Sequence, residues 1–130
     1  MKRDAIVQRL QARLPGLMGI YAFGSRVRGD AQAASDLDLA VLIEGYADAV
    51  VLWQLSAELA DLAGCDVDLL DLRRASTVMQ HQILTQGERW WASDVRAGLF
   101  EAAMLTEKLW LDEARRATLG DVQARGTVYG

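Results

Sequence analysis

The sequence predicts an α/β (or α+β) fold, in which a small mixed β-sheet has helices packed on one face and a carboxy-terminal helix follows. Three observations support this prediction. Segments with apolar residues at helical spacing alternate with short apolar runs of strand length. Turn-forming residues such as Pro15-Gly16, Gly64 and Gly87 separate these segments. About half of the residues are apolar and a quarter are charged, which is typical of a globular domain with one core.

Each element is predicted from its periodicity and its end signals. In chain order they are a helix over Asp4–Leu14, strands over Met18–Phe23 and Asp36–Ile43, a helix over Asp48–Ala63, a strand over Asp66–Leu72, a helix over Ser76–Gln86, a strand over Arg89–Ala92 and a helix from Asp94 to about Leu119. Asp4 and Ser76 are the predicted N-caps, while Gly64 and Gly87 follow predicted helix ends.

Length and composition indicate one domain and exclude several classes of protein. Residues 1–130 form a single predicted domain, with a core over about 1–93, the carboxy-terminal helix over about 94–119 and a loose tail over 120–130. The lone Cys65 cannot form an internal disulfide, and no apolar run is long enough to span a membrane. We therefore expect a cytoplasmic protein. The net charge of −4 argues against an extended nucleic-acid surface.

Two aspartates at the head of the second predicted strand are the first candidate site residues. Because side chains alternate along a strand, Asp36 and Asp38 point to one face, while Leu37 and Leu39 point to the other. Adjacent carboxylates repel each other unless a positive charge lies between them. Oxygen ligands at this spacing suit Mg²⁺, which completes its shell with water and substrate phosphates.

A third carboxylate is available on the next predicted strand. Asp68 and Asp71 lie on opposite faces, so only one can point toward the Asp36/Asp38 pair. We choose Asp68, because Asp71 lies nearer the strand end and is the better candidate for a solvent-facing or salt-bridged residue. Asp66 shares the face of Asp68 and is a weaker substitute.

The Gly24-Ser25 pair precedes these aspartates at the end of the first strand. Glycine allows close approach of the backbone to a ligand, and the backbone N–H groups and hydroxyl of Ser25 can hold phosphate oxygens. A simple helix cap is the alternative role for Ser25. Arg26 and Arg28 follow, where guanidinium groups could bind a triphosphate. The segment therefore predicts a nucleotide-binding turn.

The combination of Gly24-Ser25 with Asp36-Leu37-Asp38, joined later by Val67–Leu72, resembles the DNA polymerase β-like nucleotidyltransferase superfamily. It is closest in pattern to the minimal nucleotidyltransferases (MNT), which include the MntA-like antitoxins of HEPN–MNT toxin–antitoxin pairs. The resemblance covers roughly residues 1–95 and includes no signature in the carboxy-terminal helix.

The resemblance implies a nucleotidyltransferase fold and a two-metal mechanism. Asp36, Asp38 and Asp68 would be the catalytic and Mg²⁺-binding residues, and Asp68 would also assist the nucleophile. Gly24 and Ser25 would hold the phosphates of ATP, with Arg26 and Arg28 as further phosphate ligands. The acceptor in the antitoxin branch is a tyrosine of the partner HEPN ribonuclease, which is silenced by transfer of AMP.

Two alternatives to this protein adenylyltransferase remain open. The chain could neutralise a partner toxin mainly by binding and occlusion, or it could be a small-molecule adenylyltransferase of the aminoglycoside type. Among the other conspicuous residues, His81 is interpreted as a surface or boundary residue and Cys65 as a small buried one. Three tryptophans are expected to pack the carboxy-terminal helix on the sheet, or in part to join Phe100 and Leu109 in an exposed partner-binding patch: Trp90, Trp91 and Trp110.

Overall fold

The computed structural model describes residues 3–24 and 36–124, with side chains described as far as residue 117. Within these ranges the elements are α1 (Arg3–Arg13), β1 (Leu17–Phe23), β2 (Leu37–Ile43), α2 (Ala49–Ala63), β3 (Val67–Asp71), a 3-10 turn (Leu72–Arg74), α3 (Thr77–Gln86), β4 (Glu88–Ala92) and α4 (Val95–Ala124). The predicted order is confirmed, and most element ends agree within one residue. The last helix continues five residues past the predicted Leu119, to Ala124.

The four strands form one mixed sheet in the order β3-β2-β1-β4. Strand β1 is antiparallel to both β2 and β4, whereas β2 and β3 are parallel. The parallel pair requires a crossover connection, and α2 supplies it. As a result, the amino-terminal ends of β2 and β3 lie side by side, at the same end of the sheet as the carboxyl end of β1.

Two hydrophobic cores lie on opposite faces of the sheet. Leu39 and Val41 of β2 face the first core, which includes residues of α1 and α2. Ala40 and Leu42 face the second core, which includes residues of α3 and α4. The predicted mixed sheet with a helical layer and a carboxy-terminal helix is confirmed, and the structure adds that α3 and α4 cover the other face. The physical reason is that β2 is apolar on both sides over much of its length.

Several helix ends are formed by the expected kinds of residue. The Ser76 hydroxyl accepts a hydrogen bond from the Met79 N–H at 3.1 Å, which confirms the predicted cap of α3. Gly64 follows α2 with φ of 74°, a left-handed conformation that glycine adopts without strain. Asp48 caps the start of α2. Asp4 lies within the first turn of α1 rather than at its cap.

Helix α4 packs on the sheet through its first part. Met104 is buried in the second core, and Phe100 packs against that core. Trp110 is 69% exposed, so the expectation that it packs α4 on the sheet is wrong. Trp90 and Trp91 are half-buried against the first core instead. None of the described helices combines the length and apolar character needed to cross a bilayer.

Candidate functional site

Two of the three predicted aspartates face each other across the parallel strands. Asp38 of β2 is the register partner of Asp68 of β3, and Phe23 at the end of β1 is the partner of Asp38 on its other side. Register partners on parallel strands point to the same face, with backbones about 4.8 Å apart. The structure therefore brings Asp38 and Asp68 together on the face that α3 partly covers.

Asp36 lies immediately before β2 and is exposed. Because it is outside the strand, the alternation of side chains along β2 does not fix the direction of its carboxylate, and its place beside Asp38 stays a prediction. Asp68 is also exposed, whereas Asp38 is half-buried. Since β3 is an edge strand of the sheet, Asp68 is accessible from solvent on the open side.

Gly24 lies in close contact with the carboxylate of Asp38. A Cβ atom added to Gly24 would stand 2.2 Å from Asp38 Oδ2 and 3.1 Å from its Cγ. The residue also has φ of 82°, in the region that side chains rarely adopt. Both facts require glycine here, and the first shows that the turn after β1 lies directly against the carboxylate.

A cavity of about 300 Å³ opens beside this contact. Gly24, Asp38 and Phe23 contribute one wall, and the opposite wall belongs to α3. The residues of α3 that line it are spaced along one helical face: Met79, Gln82, Ile83 and Gln86. Its volume lies at the lower end of the range for small-molecule binding sites, and it combines apolar surface with a few polar groups.

The α3 wall was not anticipated from the sequence. Its four residues are spaced in the sequence along one face of a helix, and such spacing by itself is typical of a helix face that packs on the core. The available signal was that two of the four positions, 82 and 86, carry glutamine instead of apolar side chains. His81 lies on the same helix, is half-buried and does not line the cavity, in agreement with its interpretation as a boundary residue.

The carboxylates have the chemistry of a site for an ion that arrives with a phosphate-bearing substrate. Among the side chains that the structure describes, in residues 3–24 and 36–117, no three of His, Cys, Asp or Glu form a ready-made metal site. Mg²⁺ in nucleotide sites commonly takes one or two carboxylates and completes its shell with phosphate oxygens and water. The neighbouring Asp38 and Asp68, with Asp36 close in sequence, match this donor set.

Three predicted nucleotide-binding residues lie outside the described residues: Ser25, Arg26 and Arg28. Their predicted contacts with phosphate stay predictions. Gly24 is the one member of that predicted set which the structure describes.

Asp71 and Asp66, the other two aspartates of this region, make contacts that hold the fold together. Asp71 is 4% exposed, so it is not solvent-facing. Its carboxylate accepts hydrogen bonds from the backbone N–H groups of Ala47 and Arg73 and lies 3.6 Å from Arg74 Nε, as the salt-bridged alternative predicted. The exposed Asp66 contributes its carbonyl oxygen to the Leu37 N–H, which joins the starts of β2 and β3.

Comparison with known proteins places this arrangement in a family. Residues 5–95 match the family described as "Polymerase beta, Nucleotidyltransferase". The chain is 36% identical over 124 residues to protein adenylyltransferase MntA of Shewanella oneidensis, a match covering 95% of this chain and 89% of that protein.

Solved structures agree with the sequence match. A crystal structure of a toxin–antitoxin with AMP-PNP superposes with a TM-score of 0.81 at 36% identity, covering 95% of this chain and 99% of the other. A structure of a tri-AMPylated Shewanella oneidensis HEPN toxin in complex with MNT antitoxin gives a TM-score of 0.74 at 34% identity, covering 94% and 96%. The chain therefore belongs to the polymerase beta nucleotidyltransferase family.

Proposed function

We propose that this protein is an antitoxin that transfers AMP from Mg²⁺-bound ATP to a hydroxyl group of a partner HEPN-type toxin, a tyrosine hydroxyl above all, and so neutralises it. The observation that carries this proposal is the joint placement of Gly24, Asp38 and Asp68 at one end of the sheet, where β1 ends and β2 and β3 begin. The match to a protein adenylyltransferase along nearly the whole of both chains supports it.

Each group of residues has a chemical task in the proposed reaction. Asp36, Asp38 and Asp68 would hold two magnesium ions, which supply positive charge to the phosphates when they are bound. Gly24 and Ser25 would hold the β- and γ-phosphates, with Arg26 and Arg28 as further ligands. The close contact of Gly24 with Asp38 supports this arrangement, because it places the turn that would hold the phosphates directly beside a carboxylate that would hold their cation.

The transfer itself is a substitution at the α-phosphorus of ATP. The acceptor oxygen forms a bond to that phosphorus, the bond from the phosphorus to the α,β-bridging oxygen breaks, and pyrophosphate leaves. The hydroxyl proton passes to a nearby base, and we assign that task to Asp68. An exposed carboxylate on an edge strand is accessible to a hydroxyl carried by another protein.

The proposed partner follows from the relatives. One of the similar structures holds a tri-AMPylated HEPN toxin in complex with an MNT antitoxin, and another toxin–antitoxin structure contains the ATP analogue AMP-PNP. We propose the same partner class for this chain. The reaction would take place in the cytoplasm, where ATP and magnesium are supplied together.

The test is AMP transfer by a double variant, Asp36→Asn with Asp38→Asn. With α-labelled ATP, Mg²⁺ and a purified HEPN-type partner, we expect label on the partner with the wild-type protein and a loss of about a thousandfold or more with the variant. Asp61→Asn, at an exposed position of α2, is the matched control for loss of one carboxylate. Normal transfer by the double variant would contradict the assignment.

The same variant separates catalysis from neutralisation by binding. If cells carrying the toxin are protected equally by the wild type and the double variant, occlusion accounts for protection. Label transferred to a purified aminoglycoside in the absence of any partner would instead favour a small-molecule acceptor.

A further inference from the structure

Helix α3 carries three glutamines, and only one of them has a role in the fold. Gln80 is 7% exposed, and its Nε2 donates a hydrogen bond to the Leu72 carbonyl oxygen at 3.0 Å. This bond anchors the start of α3 to the turn after β3. Gln82 and Gln86 are exposed, and neither makes a side-chain hydrogen bond to any residue that the structure describes.

The positions of Gln82 and Gln86 are nevertheless defined by the packing of the helix. Ile83, between them, is 1% exposed in the second core, and the helix ends where the Gly87 N–H donates to the Ile83 carbonyl oxygen. Residues four apart on a helix stand one above the other, with Cβ atoms about 6 Å apart. The two amides therefore lie next to each other on the wall of the cavity that also contains Gly24 and Asp38.

The cavity divides into two chemically different parts. One wall contains the Asp38 carboxylate and the Gly24 backbone, which suit phosphates and their cation. The α3 wall contains no charged group: it offers the apolar side chains of Met79 and Ile83 and the two amides. A nucleoside has the complementary character, with flat apolar faces on the base and donors and acceptors along the base edge and the ribose.

We propose that the α3 wall, through Gln82 and Gln86, binds the nucleoside part of the nucleotide whose phosphates lie at Gly24 and Asp38. A glutamine amide both donates and accepts, so it can pair with an adenine edge or with ribose hydroxyls. The thioether of Met79 packs against the base. This inference rests on the proposed function, because it takes the location of the phosphates from it.

The experiment compares two ligands that share phosphates and differ in the nucleoside. Isothermal titration calorimetry measures binding of AMP-PNP and of inorganic tripolyphosphate, each with Mg²⁺, to the full chain. For the double variant Gln82→Ala with Gln86→Ala, we expect AMP-PNP to bind about 10- to 100-fold more weakly. Binding of tripolyphosphate should change by less than about twofold.

Gln54→Ala is the matched control, since Gln54 is an exposed glutamine on α2. It should leave both dissociation constants unchanged. Thermal unfolding should show equal stability for all three proteins, because each altered side chain is exposed and Gln82 and Gln86 make no described hydrogen bond.

The other outcomes would overturn the inference in distinguishable ways. Unchanged AMP-PNP binding by the double variant, or equal weakening of both ligands, would show that the two glutamines do not contact the nucleoside. Wild-type protein that binds neither ligand would contradict the proposed function, and the inference with it.

Discussion

The carboxylate of Asp71, at the end of β3, accepts a hydrogen bond from the backbone N–H of Ala47 at 2.8 Å. Ala47 lies in the segment between β2 and α2, and α2 is the crossover helix that leads to β3. The bond therefore joins the segment before α2 to the end of β3. The other carboxylate oxygen accepts from the Arg73 N–H at 3.0 Å, at the start of the 3-10 turn. One buried side chain thus stabilises two connections.

Replacement of Asp71 should destabilise the fold without removing a ligand-binding group. We expect Asp71→Ala to lower the free energy of unfolding by about 3 kcal/mol, because two backbone N–H groups lose their acceptor at a buried site. Asp71→Asn should cost about half as much, since one oxygen remains. Urea denaturation measures both, with Asp61→Ala as the exposed control. Equal stability of the Asp71→Ala and Asp61→Ala variants would contradict this account.

Gly24→Ala should lower the transfer activity because it displaces the Asp38 carboxylate. The new Cβ would overlap Asp38 Oδ2, and the carboxylate would have to leave its position against the turn. We expect AMP transfer to fall by about a hundredfold or more. The positive φ adds a stability cost of about 1–2 kcal/mol.

Gly64→Ala separates these two effects. Gly64 also has a positive φ, of 74°, but a Cβ added there meets no atom within 4 Å. The variant should therefore lose a similar amount of stability and keep full transfer activity. If Gly24→Ala behaves in the same way in the transfer assay, the contact with Asp38 has no role in catalysis.

Tyr21→Phe should make stability less sensitive to alkaline pH. The Tyr21 hydroxyl is buried and has no hydrogen-bond partner of normal geometry among the described residues. Burial, and then the negative charge of Glu101, raise the pKa of Tyr21 well above its ordinary value. The unfolded chain releases this proton near pH 10, and the folded chain keeps it, so wild-type stability falls as the pH rises above about 10.

Thermal unfolding at pH 7 and near pH 11 tests this prediction. At pH 7 we expect Tyr21→Phe to be as stable as the wild type or up to about 1 kcal/mol more stable, because no hydrogen bond is lost. Near pH 11 the difference in favour of the variant should increase. Tyr46→Phe, at a tyrosine that is 62% exposed, is the matched control. If the difference in stability between Tyr21→Phe and the wild type stays constant from pH 7 to pH 11, the buried hydroxyl is not the cause of the alkaline sensitivity.

Local features of the sequence determined the order of the elements and the two faces of β2. Alternation along β2 predicted that Leu39 and Val41 point away from Asp38, and both lie in the first core. Residues with specific end preferences, such as Ser76 and Gly64, marked helix ends. These predictions succeeded because each depends on residues within a few positions of one another, where backbone geometry leaves few choices.

The tertiary structure decided which distant residues became neighbours. The strand order brought Asp68 opposite Asp38 and left Asp71 buried on the other face, and helical coverage of both faces placed Gln82 and Gln86 across a cavity from Gly24. Burial of apolar surface is not directional, so a sequence pattern indicates which side of an element is covered but not which element covers it. The pairing of strands and the packing of α3 on the sheet made those choices.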